Sequence, residues 1–301
     1  MSKRIIWITL IACFLLGGVI YASVLYNDVS VAMESIQAPE IRKTSILREN
    51  DVELVKKEPF SLLLLGVDER EEDVGRSDTM IVLTVNPSTN SIKMVSIPRD
   101  TYTEMVGMDK VDKINHAYAF GGIDMSLHSV EKLLNIPIDY VVQVNMESFL
   151  QIVEVVGGVS VENTTAFTED EFTFNKGTIH LNGEQALSYV RMRMSDPLGD
   201  FGRQARQKQV LQAVLKKGAS INSLLNYKEL LNIFEQNIRT NMTLDQMLDI
   251  QKGYKNALNQ IDTIAFEHGE GKRMDGIWYY VMDEEELAQI TLKLKEHLEI
   301  D

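Results

Sequence analysis

The 301-residue chain has one cysteine, two tryptophans, six prolines and five histidines, and fewer bases than acids. The lone Cys13 lies in an apolar run near the start, so the rest of the chain is thiol-free, which excludes thiol catalysis and cysteine-bound zinc. The histidines, at 116, 128, 180, 268 and 297, show no metal-ligand spacing. Few prolines and 18 glycines exclude collagen-like and low-complexity chains. With 30 Lys and Arg against 44 Asp and Glu, net charge −14, the basic surplus that a nucleic-acid binder needs is missing. G-x-S-x-G, Walker, H-E-x-x-H and G-x-G-x-x-G signatures are also absent.

What is present begins with an anchor. Lys3 and Arg4 precede residues 5–26, twenty-two residues without a charge, and Asp28 follows. As a helix this run would be about 33 Å long, enough to cross a bilayer. The basic flank predicts a cytoplasmic tail at 1–4, a single transmembrane helix at 5–26 and everything else outside. A cleaved signal peptide is the competing reading, but the run is long for one and no A-x-A site ends it. Leu10-Ile11-Ala12-Cys13 resembles a lipoprotein box, yet thirteen uncharged residues follow it. Residues 27–59 read as a stalk, with helical stretches at 29–36 and 46–55 able to pack on the domain.

From residue 60 the composition is globular, and no repeat or linker divides 60–301, which predicts one domain. Apolar runs at 61–67, 79–86 and 91–97 read as strands, the last two joined by the turn-rich Asn86-Pro87-Ser88-Thr89-Asn90. Further strands are expected at 140–144 and 159–162. Helices are expected at 124–134, 147–156, 184–192, 202–217, 224–238, 244–258 and 284–298. Strands in front with helices interspersed and behind predict an α/β fold, a mixed sheet with helices on both faces.

Acids and arginines gather where strands and helices end. Asp68 closes the run Leu62-Leu63-Leu64-Leu65-Gly66-Val67, and Asp78 stands at the mouth of the next strand. If those strands are neighbours, two carboxylates share an edge and suit a hard cation completed by substrate oxygens; a strand terminator and a turn cap are the plainer reading. Pro98 pushes Arg99 and Asp100 into a loop, where a surface ion pair is the plainer reading. Lys113 and Asn115 precede a helix start. Arg191, Arg193, Arg203, Arg206 and Lys208 form the densest basic island; Arg191 and Arg193 can share a side in extended chain, and Arg203 and Gln207 share a helix face. Guanidinium forks beside a metal make a diphosphate receptor, whereas a solvated basic face is the alternative for any one arginine.

LLLLGVDER, GRSDTM, VSIPRDTY, KINHAYAFGG, LNGEQALSYVRMR and DFGRQARQ resemble, in order and spacing, the LytR-CpsA-Psr family, and within it the wall teichoic acid ligases. The resemblance runs from about residue 60 to 217. It implies a three-layer α-β-α sandwich that takes an undecaprenyl-diphosphate-linked glycopolymer, with magnesium or alternatively manganese, and joins the polymer to the muramic acid C6 hydroxyl of peptidoglycan. By motif, Asp68 and Asp78 match the metal-associated acids. Arg76, Arg99, Arg191, Arg193, Arg203 and Gln207 match diphosphate-gripping positions, and Asp100, Lys113 and Asp200 match further motif positions. Arg99, Asp100 and Arg203 form the expected catalytic set. A lipid leaving group implies an apolar tunnel, for which 149–156 and 210–215 supply residues, plain core being the alternative. Two rivals stay open: a hydrolase using the same site, and a non-catalytic wall-polymer-binding or regulatory protein.

Overall fold

A computed structural model describes residues 27–32, 34–38, 41–42, 44–68, 75–193, 196–218, 235 and 238–300, apart from the side chains of 146–148. The expected helix at 224–238 falls almost wholly outside these residues, as does the apolar run 5–26. Among the described residues no helix is long and apolar enough to cross a membrane.

A six-stranded sheet is central. Its strands are β1 (Phe60–Val67), β2 (Ser77–Asn86), β3 (Ser91–Ser96), β6 (Tyr140–Asn145), β11 (Ile238–Thr240) and β12 (Gln260–Ile264), in the order β11-β6-β1-β2-β3-β12. β1 runs parallel to β6 and β3 parallel to β12, while the β1–β2 and β2–β3 pairs are antiparallel, so the sheet is mixed. Four strands therefore end at one edge. The period of two along a strand explains the layering. Leu63, Leu65 and Val67 enter one core, together with Met80 and Val82 of β2. Phe60, Leu62 and Leu64 face the other, with Ile81, Leu83 and Val85. Each fully buried side chain of this kind contributes roughly 2 kcal/mol.

Helices α1 (His116–Leu134) and α6 (Glu284–Leu298) cover the first face. α4 (Asp200–Gly218), α5 (Leu244–Gly253) and two 3-10 turns, Leu54–Lys56 and Lys255–Asn259, cover the second. α1 starts earlier than expected and breaks at Gly121 and Gly122, where φ of 63° at Gly122 calls for glycine; the expected helix from Asp124 is its second half. The helix expected over 244–258 stops at Gly253, because Tyr254 turns inward onto Phe60, ring centroids 5.2 Å apart, and donates to the Glu58 carbonyl at 2.6 Å.

A third core joins α2 (Met146–Val155), α3 (Gly183–Arg191) and α4 to small antiparallel ribbons. These are β7 (Val159–Asn163) with β10 (Gly177–Leu181), and β8 (Phe167–Glu169) with β9 (Phe172–Phe174). Two more ribbons, β4 (Tyr102–Glu104) with β5 (Val111–Lys113) and β13 (Glu270–Met274) with β14 (Ile277–Val281), stand by the sheet edge. The three-residue strands β4, β5, β8 and β9 are too short to show a side-chain period; of the others only β7 was expected, and none of the four ribbons was expected as a pair.

The described residues between 36 and 58 are built into the fold. Ile36, Ala38, Ile41 and Leu54 are buried, and Gln37 bridges to Thr240 of β11. The expected helix at 46–55 is reduced to the 3-10 turn at its end.

Candidate active site

The site lies at the carboxyl edge of β1, β3 and β6, where open α/β sheets present ligands. β1 and β2 pair Gly66 with Thr79 and then Val67 with Ser77, which leaves Asp78 as the extra residue of a bulge. Such bulges re-aim a side chain beside a site. The bulge also needs its glycine, because a Cβ on Gly66 would lie 2.9 Å from Thr79 Cβ. The Arg76 carbonyl accepts from the backbone N–H of Asp78 at 3.0 Å and of Asp68 at 3.5 Å, tying both acids to one turn.

Asp78 Oδ1 meets Arg99 Nη1 at 2.9 Å and accepts from Asn115 Nδ2 at 3.4 Å. Its carbonyl accepts from Arg203 Nη2 at 3.5 Å. Arg99 stands in the turn closed by Thr101 N–H on the Pro98 carbonyl, and its own carbonyl accepts from Asn115 N–H. Asp100 holds Lys113 Nζ at 2.7 Å and lies 3.9 Å from Arg99 Nε. Asp200, in the first turn of α4, pairs with Arg203 at 2.7 Å. Seven expected residues thus converge: Asp78, Arg99, Asp100, Lys113, Asp200 and Arg203, with Asp68 on the adjoining turn.

Both guanidiniums are mostly covered, Arg99 19% and Arg203 10% exposed. Arg99 Nε and Arg203 Nε are buried without a hydrogen bond, as is Asn115 Oδ1. Buried donors left open in this way call for an anion. Burial pulls the Arg99 pKa down, but Asp78, Asp200 and Asp100 outweigh it and the net direction is up. Arg203 moves down, through burial and the nearby charges of Arg99 and Arg193, against the pull of Asp200 and Asp78.

The remaining expected residues surround this centre less tightly. Arg191 ends α3 and Arg193 follows, both exposed, with buried Met192, out of the helix, between them. Arg76 is exposed in the β1–β2 turn. Arg206, part of the basic island, points away: it donates to the Tyr189 carbonyl at 2.9 Å and pairs with Asp196 at 2.5 Å, clamping the segment that carries Arg191 and Arg193. Gln207 turns toward an apolar cavity with about 720 Å³ of empty space, its open mouth included. Phe149 and Ile152 of α2 and Leu211 and Val214 of α4 line it, with Gly66, Thr79 and Asn145 among its wall residues. The last three were not anticipated; the sequence signal for Asn145 was a polar residue closing an apolar strand, the same pattern that drew attention to Asp68.

Two carboxylates with a free amide oxygen nearby fit a hard divalent cation that takes its other ligands from substrate phosphates. No cluster of three acidic, histidine or cysteine side chains able to hold a metal by itself occurs among the described residues.

These features define an α/β domain whose anion receptor adjoins an apolar cavity. The model of the LytR_cpsA_psr family matches residues 23–296, and the chain belongs to that family. A Bacillus cereus protein named polyisoprenyl-teichoic acid–peptidoglycan teichoic acid transferase TagU is 51% identical over all of this chain and 99% of its own length. The crystal structure of B. subtilis TagU is 48% identical, with a TM-score of 0.67, covering 81% of this chain and 99% of that one. A structure described as TagT bound to LIIa-WTA is 31% identical, with a TM-score of 0.73, covering 85% and 97%.

Proposed function

We propose that the chain is a transferase that moves wall teichoic acid from an undecaprenyl-diphosphate carrier to the muramic acid C6 hydroxyl of peptidoglycan. Full-length similarity to proteins named for this reaction supports the reading. The observation that carries it is the pair of covered guanidiniums, Arg99 and Arg203, beside Asp78 and close to the cavity where Gln207 lies. The cavity takes the start of the prenyl chain, and Arg99 and Arg203 offer their open Nε donors to the diphosphate. Arg76, Arg191 and Arg193 add charge around it, while Lys113, Asp200 and Gln207 orient the gripping residues and the phosphate oxygens. Phosphoryl transfer needs chiefly such positioning and charge stabilisation. The acceptor oxygen bonds to the sugar-bearing phosphorus as the bond to the lipid phosphate oxygen breaks. Undecaprenyl phosphate leaves, carrying in net balance the acceptor's proton. Arg99, Asp100 and Arg203 are the residues assigned to this step.

Asp68 and Asp78 are the residues that would hold magnesium, or manganese in its place. Bound there, the ion would neutralise charge on the diphosphate oxygens. Residues 5–26 would anchor the chain in the cell membrane with a cytoplasmic N-terminus, keeping the domain in the outer envelope beside a carrier confined to the bilayer.

The test uses the full chain in detergent with a lipid-diphosphate disaccharide carrying a labelled sugar, a peptidoglycan oligomer and magnesium. Label on the oligomer, abolished by EDTA and strongly reduced in Arg99→Ala and, at limiting magnesium, in Asp78→Asn, is the expected result. Label released only as free sugar phosphate would replace the transferase by a hydrolase, and intact donor recovered bound to the protein would replace it by a binding protein.

A further inference from the structure

Three segments meet around Asp100. Its carbonyl accepts from Tyr280 N–H at 2.9 Å, Thr101 bridges to Tyr280, and its carboxylate holds Lys113. Aromatic rings flank this junction on both sides. Tyr102 packs edge-on against Tyr279, centroids 5.0 Å apart, with Lys113 Nζ 5.9 Å from the Tyr279 ring centre. Phe201 packs edge-on against Tyr280 at 5.6 Å. Tyr102 and Phe201 remain 40% and 42% exposed, so neither ring is consumed by the core.

Helix α4 measures the site. Phe201 touches the aromatic ribbon, Arg203 reaches the Asp78 carbonyl, and Gln207 and Leu211 line the cavity. At 1.5 Å per residue, Leu211 lies about 15 Å along the helix from Phe201, with the arginine between. The sheet edge repeats this order. The cavity touches β6, β1 and β2, Arg99 follows β3, and Tyr280 pairs beyond it at Thr101. In a phosphoryl displacement the attacking and leaving oxygens stand roughly in line across the phosphorus. With the lipid phosphate leaving on the cavity side, the attacking hydroxyl arrives from the aromatic side. The transferred polymer stays on the phosphorus and projects toward solvent.

We infer that the exposed rings of Tyr102 and Phe201, backed by the buried Tyr279 and Tyr280 on either side of Asp100 and Lys113, form the acceptor subsite, which takes sugar rings of the peptidoglycan glycan strand. The inference rests on the transferase reading and adds where the acceptor binds. A sugar ring is apolar on its C–H faces and polar at its rim, which matches exposed aromatic rings set next to a carboxylate and an ammonium group.

The experiment is steady-state transfer by the full-length chain in detergent, at fixed labelled donor and varied peptidoglycan tetrasaccharide, for wild type, Tyr102→Ala, Phe201→Ala and Tyr102→Trp. Both alanine variants are expected to raise the acceptor KM about tenfold, the loss of one aromatic contact. kcat and donor Kd should stay near wild type, and Tyr102→Trp should recover most of the lost affinity. Unchanged acceptor KM in both alanine variants overturns the subsite, and so does a loss of donor affinity instead, which would place the donor's own sugars on the ribbon. If Phe201→Ala lowers Tm, the exposed Tyr102 carries the test alone. A wild-type chain that transfers to no acceptor overturns the transferase reading itself, an outcome distinct from either of these.

Discussion

Asp78 Oδ1 lies 2.9 Å from Arg99 Nη1, joining the extra residue of a β2 bulge to the turn that ends β3. Asp100, the immediate neighbour of Arg99, lies farther off at 3.9 Å and turns to Lys113 instead. The guanidinium is therefore stretched between two acids with its Nε open. Arg99→Ala should lower kcat/KM for transfer by roughly 10²–10³, the scale for losing one preorganised donor to a developing charge. Arg99→Lys should rescue little, because one ammonium cannot hold Asp78 and fork a phosphate together. Initial rates of both variants at varied donor concentration check this.

Removing magnesium tests the acids separately. If, as proposed, Asp68 and Asp78 are the protein ligands and phosphate oxygens the rest, metal affinity should depend on donor. EDTA should abolish transfer without lowering Tm, since the fold contains its own core on both faces of the sheet. Asp78→Asn should shift the half-saturating magnesium concentration upward by at least tenfold, measured by titrating magnesium against initial rate. A Tm that falls with EDTA would give the metal a structural role instead.

The segment before β1 carries two covered ion pairs into the domain. Arg48 Nε meets Asp139 at 2.5 Å, with the side chains 13% and 5% exposed. Arg42 pairs with Glu131 at 2.5 Å. Asp139 also accepts from Ser61 N–H and Oγ, so losing Arg48 leaves a partly satisfied buried carboxylate. Arg48→Ala should cost roughly 3 kcal/mol, the low end for breaking a buried pair, read by denaturant unfolding. By the same argument a chain starting at residue 60 should aggregate, whereas one starting at residue 27 should fold.

Much of this architecture was legible because its signals are local. The Leu62–Leu65 run and the Asn86–Asn90 turn each specify their own element. The site's acids and arginines stood out as charges at element ends. Long-range relations were not legible. Nothing near Arg206 in sequence says that its guanidinium folds back on Tyr189 and Met192 while Arg203, three residues earlier, faces Asp78. The strands at 102–104 and 111–113 are too short for a period, and Tyr280 meets Asp100 only through the tertiary fold. Residues 27–59 read as a stalk because their charges are mixed and their apolar residues lack a sharp period; that Arg42 and Arg48 find partners at 131 and 139 is a relation only the fold makes.

His297 gives the fold a defined acid limit. Its ring is buried, Nδ1 2.7 Å from Thr84 Oγ1 and Nε2 2.8 Å from Ser91 Oγ. Burial, helped by Lys93 and opposed by Asp262 and Glu299, lowers its pKa from 6.5 to about 4. Between those values the unfolded chain binds the extra proton, so stability is full above pH 6.5 and declines as pH falls toward 4. The whole contribution is roughly 3 kcal/mol. Chemical denaturation at pH 7.5 and pH 4.5 should show most of this loss in wild type and much less of it in His297→Gln. An equal pH dependence in both proteins would assign the loss to other groups.

The cavity makes a last claim about chain length. Ile152 and Leu211 face each other's elements across it, on α2 and α4, and both are partly buried. Ile152→Trp adds an indole's bulk to a space that the proposed donor needs for its prenyl chain, while Arg99 and Asp78 at the sheet edge are untouched. Overpacking an already occupied core costs about 1–3 kcal/mol, but filling an open cavity should cost little, so Tm should hold. Donors with long prenyl chains should then lose affinity by at least tenfold, whereas a donor with a chain of one or two isoprene units should react nearly as in wild type. Equal loss for both donors would mean that the substitution disturbs the arginines rather than the lipid path.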